Sequence, residues 1–482
     1  MPHILWFRDD LRLADHPALH AALLADPSTG DENPAIIPVY IDDPAQPEGG
    51  AVRWWRHHSL AALDRALRAH DSRLILARGE PLTVLRGLIA ASGATAVFWN
   101  RRLTPAGIAT DQAIKTALQA EGLRVESFNG NYLYEPWTLK TTQDQPFQVF
   151  TPYYKAVLRS GLNLSPLPEP THIPPPPDIP SLALADLRLL PTLPWAAGFT
   201  EWHPGETGAW QRLEAFLPRV EGYASGRDRL DGQGVSKLSA HLRFGEINPR
   251  QIIATLAAHF GDPLALAGSE HFVRELIWRE FGAYLLYHFP HTLNQPLNPR
   301  FAHIPWRNAP DELLAWQRGQ TGIPVVDAAM RCLWQTGWMH NRARMIVASF
   351  LTKNLLIDWR IGADWFMDTL VDADLASNTA GWQWTAGSGA DAAPYFRVFN
   401  PVLQAEKFDP AGDFLRRWLP ELAALPTAAL IAPWQADPHT LRRAGITLGT
   451  TYPHPIVDLK GSRERALQMF AQLKTAHDYP YS

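Results

Sequence analysis

The sequence has few of the residues that form disulfide frameworks or thiolate metal sites. Its 482 residues contain a single cysteine, Cys332. A disulfide within the chain is therefore excluded, and so is a zinc site built from several cysteines. Because no other pattern of metal ligands stands out, we expect no metal centre.

Long apolar runs are also absent. No stretch approaches the ~18 uninterrupted apolar residues that a membrane-spanning helix needs. The opening residues, MPHILWFRDD, carry charges where a secretory signal peptide has its apolar region. We therefore expect a protein that does not enter membranes and that is located in the cytoplasm.

An excess of positive charge is missing as well. The chain has 44 Lys and Arg against 48 Asp and Glu, a formal net charge of -4. Domains that bind nucleic acids are often basic as a whole, so any DNA binding here has to use a local patch. In contrast, tryptophan is abundant, with 19 residues. Most indoles are expected in the core, although an indole also stacks on bases, on flavins and on other indoles.

The first 130 residues alternate short runs of β-branched and aromatic residues with helical patterns. The helical patterns cover Arg53 to Ala69, Pro81 to Ala91 and Pro105 to Glu121. Alternation of this kind predicts an α/β domain with a doubly wound parallel sheet over residues 1–130. The predicted strands are residues 3–7, 35–41, 73–77, 95–100 and 124–128.

A proline-rich region follows and predicts an interdomain linker over residues 131–200. Eight prolines lie between Pro166 and Pro180, which favours an extended chain. From about Glu201 the apolar spacing is helical, as in RQIIATLAAHF and EHFVRELIWREFGAYLLYHF. The sequence therefore predicts a second, larger all-α domain over residues 201–482.

Two predicted helices each place polar and apolar side chains on one face. Residues at i, i+3 and i+4 of a helix share a face, so each set of three points in one direction. A purely structural Glu–Arg pair is the competing explanation for the first set, because charged groups are rarely buried without a partner. The two sets are Glu275, Trp278 and Arg279 in one helix and Asn341, Arg344 and Met345 in the other.

A glycine-containing segment, GQGVSKLSAH at 232–241, has the features of a loop that enters a helix. It follows no strand and lacks a third glycine, which excludes a Rossmann fingerprint. Backbone N–H groups at the start of the helix, with Ser236, Lys237 and Ser239, could hold a diphosphate. The alternative is a plain serine at the helix N-cap.

A third segment, residues 368–401, combines acids, amides and indoles. Asp372, Asp374 and Asn378 precede Trp382 and Trp384 in a stretch rich in Gly and Ala. Small residues allow a flat ring to approach the backbone closely. This combination indicates a site for a planar heteroaromatic cofactor.

The segments ELIWREF, GWMHNRARM, LLIDWR, DLASN and GWQWTAGSGADAAPYFRVFNP, together with the opening WFRDDLRLADHPAL, resemble the photolyase and cryptochrome family, most nearly its class I cyclobutane pyrimidine dimer photolyases. The resemblance covers essentially the whole chain. It implies an α/β antenna domain, a helical domain that holds a U-shaped FAD, and light-driven repair of pyrimidine dimers by electron transfer from photoexcited reduced FAD. The implied partner is damaged DNA, bound by a monomer.

The resemblance also implies roles for individual residues, with Asn378 facing the flavin N5 atom, Arg344 paired with Asp372, and Val235 where the family usually has threonine. Glu275 and Asn378 are expected in the catalytic set, with an electron-transfer chain of Trp306, Trp359 and Trp382. The expected FAD contacts are Tyr223, Val235, Ser236, Lys237, Leu238, Ser239, Trp278, Arg279, Arg344, Asp372, Ala373, Asp374 and Asn378. The expected substrate and DNA contacts are Arg227, Glu275, Trp278, Asn341, Arg342, Met345, Trp384 and Arg397.

Three other functions stay open at this point. A (6-4) photolyase is expected to carry two adjacent histidines where this chain has His340 and Asn341. A light-signalling cryptochrome often has a C-terminal extension, whereas ordinary helical sequence follows Pro401 here. A dark flavin oxidoreductase would need a nicotinamide fingerprint, which we do not find. A second antenna chromophore, if one binds, is expected to be a deazaflavin or a flavin rather than a folate, because Gly107 stands where folate-binding relatives have a glutamate.

Overall fold

The N-terminal part of the chain folds around one parallel β-sheet. A computed structural model describes residues 1–24, 34–232, 234–391 and 397–475. All paired strands run parallel, in the order β3-β2-β1-β4-β5. Each strand overlaps a predicted one, so the predicted sheet is confirmed. The strands are β1 His3–Phe7, β2 Ile36–Asp42, β3 Ile75–Arg78, β4 Ala96–Asn100 and β5 Arg124–Phe128.

Four helices connect these strands and cover both faces of the sheet. Every residue of β1 and β4 is buried, which explains why their sequences are apolar without alternation. The three predicted crossover helices are present, and a short helix also follows β1. The connecting helices are α1 Pro17–Leu23, α2 Gly50–Ala69, α3 Pro81–Ser92 and α4 Pro105–Ala120.

The region predicted as a linker has a helix of its own, α5 Phe150–Ser160. Its side chains Phe150, Tyr153 and Val157 are buried in a cluster formed mainly by the helical part of the chain. The proline-rich stretch at 165–183, all of it described, has neither α-helix nor strand. The domain limits at 130 and 200 stay a prediction, but α5 packs as part of the helical domain.

The rest of the chain is helical, as predicted. Its helices are α6 Glu206–Phe216, α7 Tyr223–Gly226, α8 Ser239–Arg243, α9 Pro249–Phe260, α10 Ala267–His288, α11 Pro310–Arg318, α12 Pro324–Thr336, α13 Asn341–Ser349, α14 Trp359–Thr369, α15 Leu375–Ala386, α16 Pro401–Phe408, α17 Asp413–Trp418, α18 Thr427–Ile431, α19 Pro438–Arg443 and α20 Leu459–Thr475. Five of these helices (α9, α11, α12, α16 and α19) begin with proline, whose missing N–H is not needed in the first turn.

The two halves are joined by a shared core and by buried carboxylates. The largest apolar cluster contains residues of the sheet, such as Phe7, and of the helical domain, such as Trp316. Glu280 of α10 accepts hydrogen bonds from the backbone N–H groups of Leu133 at 2.8 Å and Tyr134 at 2.7 Å. Burial raises the pKa of Glu280 to about 7. These contacts fix α10 against the end of the α/β domain.

None of the helices within the described ranges combines the length and apolar character needed to cross a membrane.

Candidate functional site

A cavity of about 690 Å³ opens between α8, α10, α13 and α15. Its volume lies in the range of small-molecule and cofactor sites. The residues predicted from sequence that line it are Tyr223, Arg227, Ser236, Leu238, Ser239, Glu275, Trp278, Arg279, Asn341, Arg342, Arg344, Met345, Asp372, Asp374 and Trp384.

Helix α10 places Glu275, Trp278 and Arg279 toward this cavity, as their spacing predicts. The competing explanation, a Glu275–Arg279 pair, is wrong in its choice of partner. Glu275 is paired with Arg227. The Arg279 guanidinium instead donates to the carbonyl of Leu242 at 3.0 Å. Both charged groups are thus satisfied at the rim of the cavity.

Helix α13 supplies the second predicted face, with Asn341, Arg344 and Met345. The guanidinium of Arg344 is 2.7 Å from the carboxylate of Asp372, so the predicted ion pair is present. The Asp372 side chain is 2% exposed, which makes a compensating charge necessary.

Helix α15 provides a wall of small and amide residues. Its N-cap, Asp374, accepts a hydrogen bond from the backbone N–H of Ser377 at 2.7 Å. Asn378 donates through Nδ2 to the carbonyl of Ala363 at 3.0 Å, which leaves its carbonyl oxygen as an acceptor. Gly381 is one turn further along, and a Cβ atom added there would meet nothing within 4 Å. The helix therefore presents open space at Gly381.

A second, smaller cavity of about 160 Å³ adjoins the first. Asn378, Ala373 and Trp382 line this smaller cavity, while Arg344 and Asp372 line both. The indole nitrogen of Trp382 is buried and has no hydrogen-bond partner. The predicted residues at 372–382 therefore line two neighbouring cavities that share part of their walls.

The loop at 235–239 is divided between two sides. Leu238 and Ser239 line the main cavity, Val235 and Lys237 line a separate pocket of about 430 Å³, and Ser236 lines both. The Lys237 ammonium lies 2.7 Å from Glu201 and so has a carboxylate partner already. The cofactor contact predicted for Lys237 stays a prediction, and the position of its ammonium gives that contact no support.

The three indoles of the predicted electron-transfer chain differ in exposure. Trp382 is 2% exposed, Trp359 is 4% exposed and Trp306 is partly exposed. Trp382 is in ring contact with Phe366 at 5.0 Å and Trp316 at 6.3 Å. Two buried indoles and one partly exposed indole fit a chain whose outer end is Trp306, while electron transfer itself stays a prediction.

The remaining predicted DNA contacts are divided between the main cavity and a neighbouring one. Arg342 is 2.8 Å from Asp228. Trp384 lines both the main cavity and a neighbouring cavity of about 640 Å³, where Arg397 is also found. Part of the sequence segment that suggested this site, residues 392–396, lies outside the described residues.

Two residues at the site were missed by the sequence analysis. Arg243 lines the main cavity, donates to the Ala373 carbonyl at 2.7 Å and pairs with Asp9 of the α/β domain at 2.7 Å. It follows Ser239 by four residues on one helix, so helical spacing could have revealed it. Phe150 stacks on Trp278, and no local pattern signals this contact.

The residues present fit FAD. The open space beside Gly381 and the small side chains of α15 suit a flat ring, and Asn378 offers a neutral acceptor next to it. The charges of Arg344 and Asp372 balance each other at the junction of the two cavities. The fold and the cavity thus define a protein with an α/β domain followed by a helical domain that holds a flavin.

Comparison with known proteins agrees with this class. Residues 3–175 match the family model described as DNA photolyase, and residues 272–472 match the FAD binding domain of DNA photolyase. The chain is 48% identical to the deoxyribodipyrimidine photo-lyase of Agrobacterium fabrum, covering 98% of both chains. It is 36% identical to Arabidopsis thaliana cryptochrome-2, covering 98% of this chain and 79% of that one.

One solved structure is similar over nearly the whole chain. It is a bacterial class III photolyase from Agrobacterium tumefaciens, with a TM-score of 0.93, 48% sequence identity and coverage of 98% of both chains. The chain belongs to the DNA photolyase family, and its helical domain is an FAD-binding domain of that family. The expectation of a class I protein finds no support, because this similar structure is of class III.

Proposed function

We propose that the protein repairs cyclobutane pyrimidine dimers in DNA, using light absorbed by reduced FAD. The observation that carries this proposal is the wall of the main cavity. Trp278 and Met345 contribute apolar side chains to this wall, and Glu275 and Asn341 contribute polar ones. A flipped dimer needs such a site, with stacking surfaces and a few polar anchors.

The protein's own residues would bind and orient the lesion. The Glu275 carboxylate, held by the Arg227 guanidinium, can accept a hydrogen bond from a pyrimidine imide N–H. The Asn341 amide can both donate and accept, so it suits a base edge with carbonyl and N–H groups. Arg342 in the main cavity and Arg397 in the neighbouring cavity would contact phosphates of the bound strand.

Bound FAD supplies the photochemical electron donation to the dimer. Asn378 would hold the flavin edge with a neutral amide, which adds no negative charge beside an anionic ring. Trp306, Trp359 and Trp382 would carry electrons from the surface when the flavin has to be reduced. The ion pair of Arg344 and Asp372 would fix α13 against the loop before α15, beside the cofactor.

The proposal also covers the antenna chromophore, the oligomeric state and the cellular location of the protein. A Cβ atom added at Gly107 would lie 2.8 Å from both Arg102 Cβ and Thr104 Oγ1, so a folate-anchoring glutamate does not fit at this position. A deazaflavin or a flavin therefore remains the proposed antenna. We propose a monomer that acts in the cytoplasm.

Cryptochrome signalling is the second candidate, because a cryptochrome is among the similar proteins. DNA binding measured in the dark distinguishes the repair function from the signalling function. We expect the protein to prefer an oligonucleotide with one thymine cyclobutane dimer over the same undamaged strand. Trp278→Ala should weaken binding of the dimer roughly tenfold to a hundredfold, since an aromatic stacking surface contributes ~1–3 kcal/mol per base.

The control for this experiment is Trp334→Ala, which removes an exposed indole of α12 outside the cavity. It should leave both affinities unchanged. Wild-type protein that binds damaged and undamaged DNA equally would contradict the repair proposal and favour signalling.

A further inference from the structure

The indole of Trp278, in α10, is stacked face to face on the ring of Phe150, the first residue of α5. The rings of Phe150 and Trp278 have centroids 3.6 Å apart and planes inclined by 7°. Phe281 touches the same indole edge-on, at 5.9 Å. Because Trp278 also lines the main cavity, the surface that it offers to a ligand is the other face and the free edge.

Phe150 is itself held firmly. It is the first residue of α5 and is completely buried. Tyr154, one turn later, stacks on it at 5.7 Å and donates a hydrogen bond to Glu270 of α10 at 2.5 Å. The guanidinium of Arg274 lies 5.5 Å from the Phe150 ring. These contacts tie the first turn of α5 to α10.

We propose that Phe150 is a positioning residue for lesion recognition: it fixes the plane of Trp278 so that the indole can receive a flipped pyrimidine dimer. This inference rests on the proposed repair function. A side chain held in one rotamer loses less freedom when a ligand binds, which improves affinity for that ligand. Undamaged DNA gains little from this, since its affinity comes mainly from phosphate contacts.

The test compares two identical substitutions. Phe150→Leu removes the stack on Trp278 and keeps an apolar side chain. Phe147→Leu is the matched control, because Phe147 is 7% exposed, belongs to the same apolar cluster and makes its ring contacts with Tyr153 and Tyr284. For each variant we would measure FAD content, thermal midpoint, and dark affinity for dimer-containing and undamaged oligonucleotides.

We expect Phe150→Leu to lower the ratio of the two affinities about threefold to tenfold, the contribution typical of one aromatic pair. Phe147→Leu should change this ratio less than about twofold, with a comparable loss of thermal stability. In a Trp278→Ala background, Phe150→Leu should cause no further loss of the ratio, because its effect passes through the indole.

Three results would overturn the inference. They are an unchanged ratio in Phe150→Leu protein that retains FAD, an equal fall in both Phe→Leu variants, or a further full loss in the Trp278→Ala background. A wild-type protein without any preference for the dimer would instead contradict the proposed function, so the two failures are distinguishable.

Discussion

The guanidinium of Arg344 donates from Nη2 to both carboxylate oxygens of Asp372, at 3.0 Å and 2.7 Å. Its Nε atom donates to the carbonyl of Met339 at 2.8 Å. One side chain of α13 thus binds both the residue before this helix and the loop before α15, and its partner Asp372 lines both cavities of the flavin site. Asp372 is nearly inaccessible to water, so this ion pair is structurally important.

Removing the carboxylate should therefore weaken cofactor binding. Asp372→Asn leaves the Arg344 charge without its carboxylate partner. Because the Arg344 side chain is 25% exposed and water can partly solvate it, we expect a cost of about 1–3 kcal/mol, less than for a fully buried pair. We expect purified Asp372→Asn protein to retain much less FAD and to melt at a lower temperature. Asp364→Asn, an exposed change on α14, is the control. Equal FAD content in both variants would show that the pair does not support the cofactor site.

Trp306 should be needed for photoreduction but not for repair. Trp306→Phe removes the partly exposed indole at the outer end of the proposed chain and leaves the cavity intact. Light-driven reduction of oxidised FAD should then be largely lost. Repair by protein whose FAD was first reduced chemically should survive, because the repair electron passes between flavin and lesion.

The measurement is the decay of oxidised flavin absorbance under blue light with an external donor. Trp434→Phe, which changes a partly buried indole without a proposed role, serves as the control. Photoreduction at the wild-type rate in Trp306→Phe would remove Trp306 from the chain.

His340 should make the stability of the protein depend on pH. Burial lowers its pKa to about 4 from the ordinary histidine value of 6.5, although the carboxylate of Asp228 acts in the opposite direction. The unfolded chain therefore binds the proton first as pH falls. The contribution of His340 to the free energy of unfolding is present above about pH 6.5 and is lost toward pH 4, by about 1.4 kcal/mol per pH unit.

His340→Asn tests this dependence. In the wild type, His340 Nδ1 accepts a hydrogen bond from the backbone N–H of Arg342 at 3.1 Å. The side-chain oxygen of asparagine can accept the same hydrogen bond at the helix N-cap. We expect the stability difference between wild type and variant to shift by roughly 2 kcal/mol in favour of the variant between pH 7.5 and pH 5. Urea midpoints at the two pH values check this. A difference that does not change with pH would mean that His340 titrates normally in the folded state.

Local sequence patterns predicted the secondary structure and the faces of helices. Short apolar runs that alternate with helical patterns predicted the strands of the sheet. The i, i+3, i+4 spacing correctly predicted that Glu275, Trp278 and Arg279 point toward one cavity. The spacing could not identify the partner of Glu275, because Arg227 comes from a different part of the chain. The ion pair of Lys237 with Glu201 could not be predicted either, because Glu201 precedes the loop by many residues.

The start of α5 shows the same limit more clearly. The proline content predicts an extended linker over residues 131–200. It gives no sign of the helix that the apolar residues before the prolines form. Their partners are on α10, so the helix is stabilised by tertiary packing rather than by local propensity. The stack of Phe150 on Trp278 could be found only from the folded chain.

The most direct test of the central claim is repair itself. Protein with chemically reduced FAD would be mixed with an oligonucleotide carrying one thymine cyclobutane dimer, and thymine absorbance would be followed under blue or near-ultraviolet light, with a dark sample in parallel. Our account predicts that absorbance is restored in the light and not in the dark. An unchanged lesion after illumination of protein that contains reduced FAD and binds the oligonucleotide would contradict it.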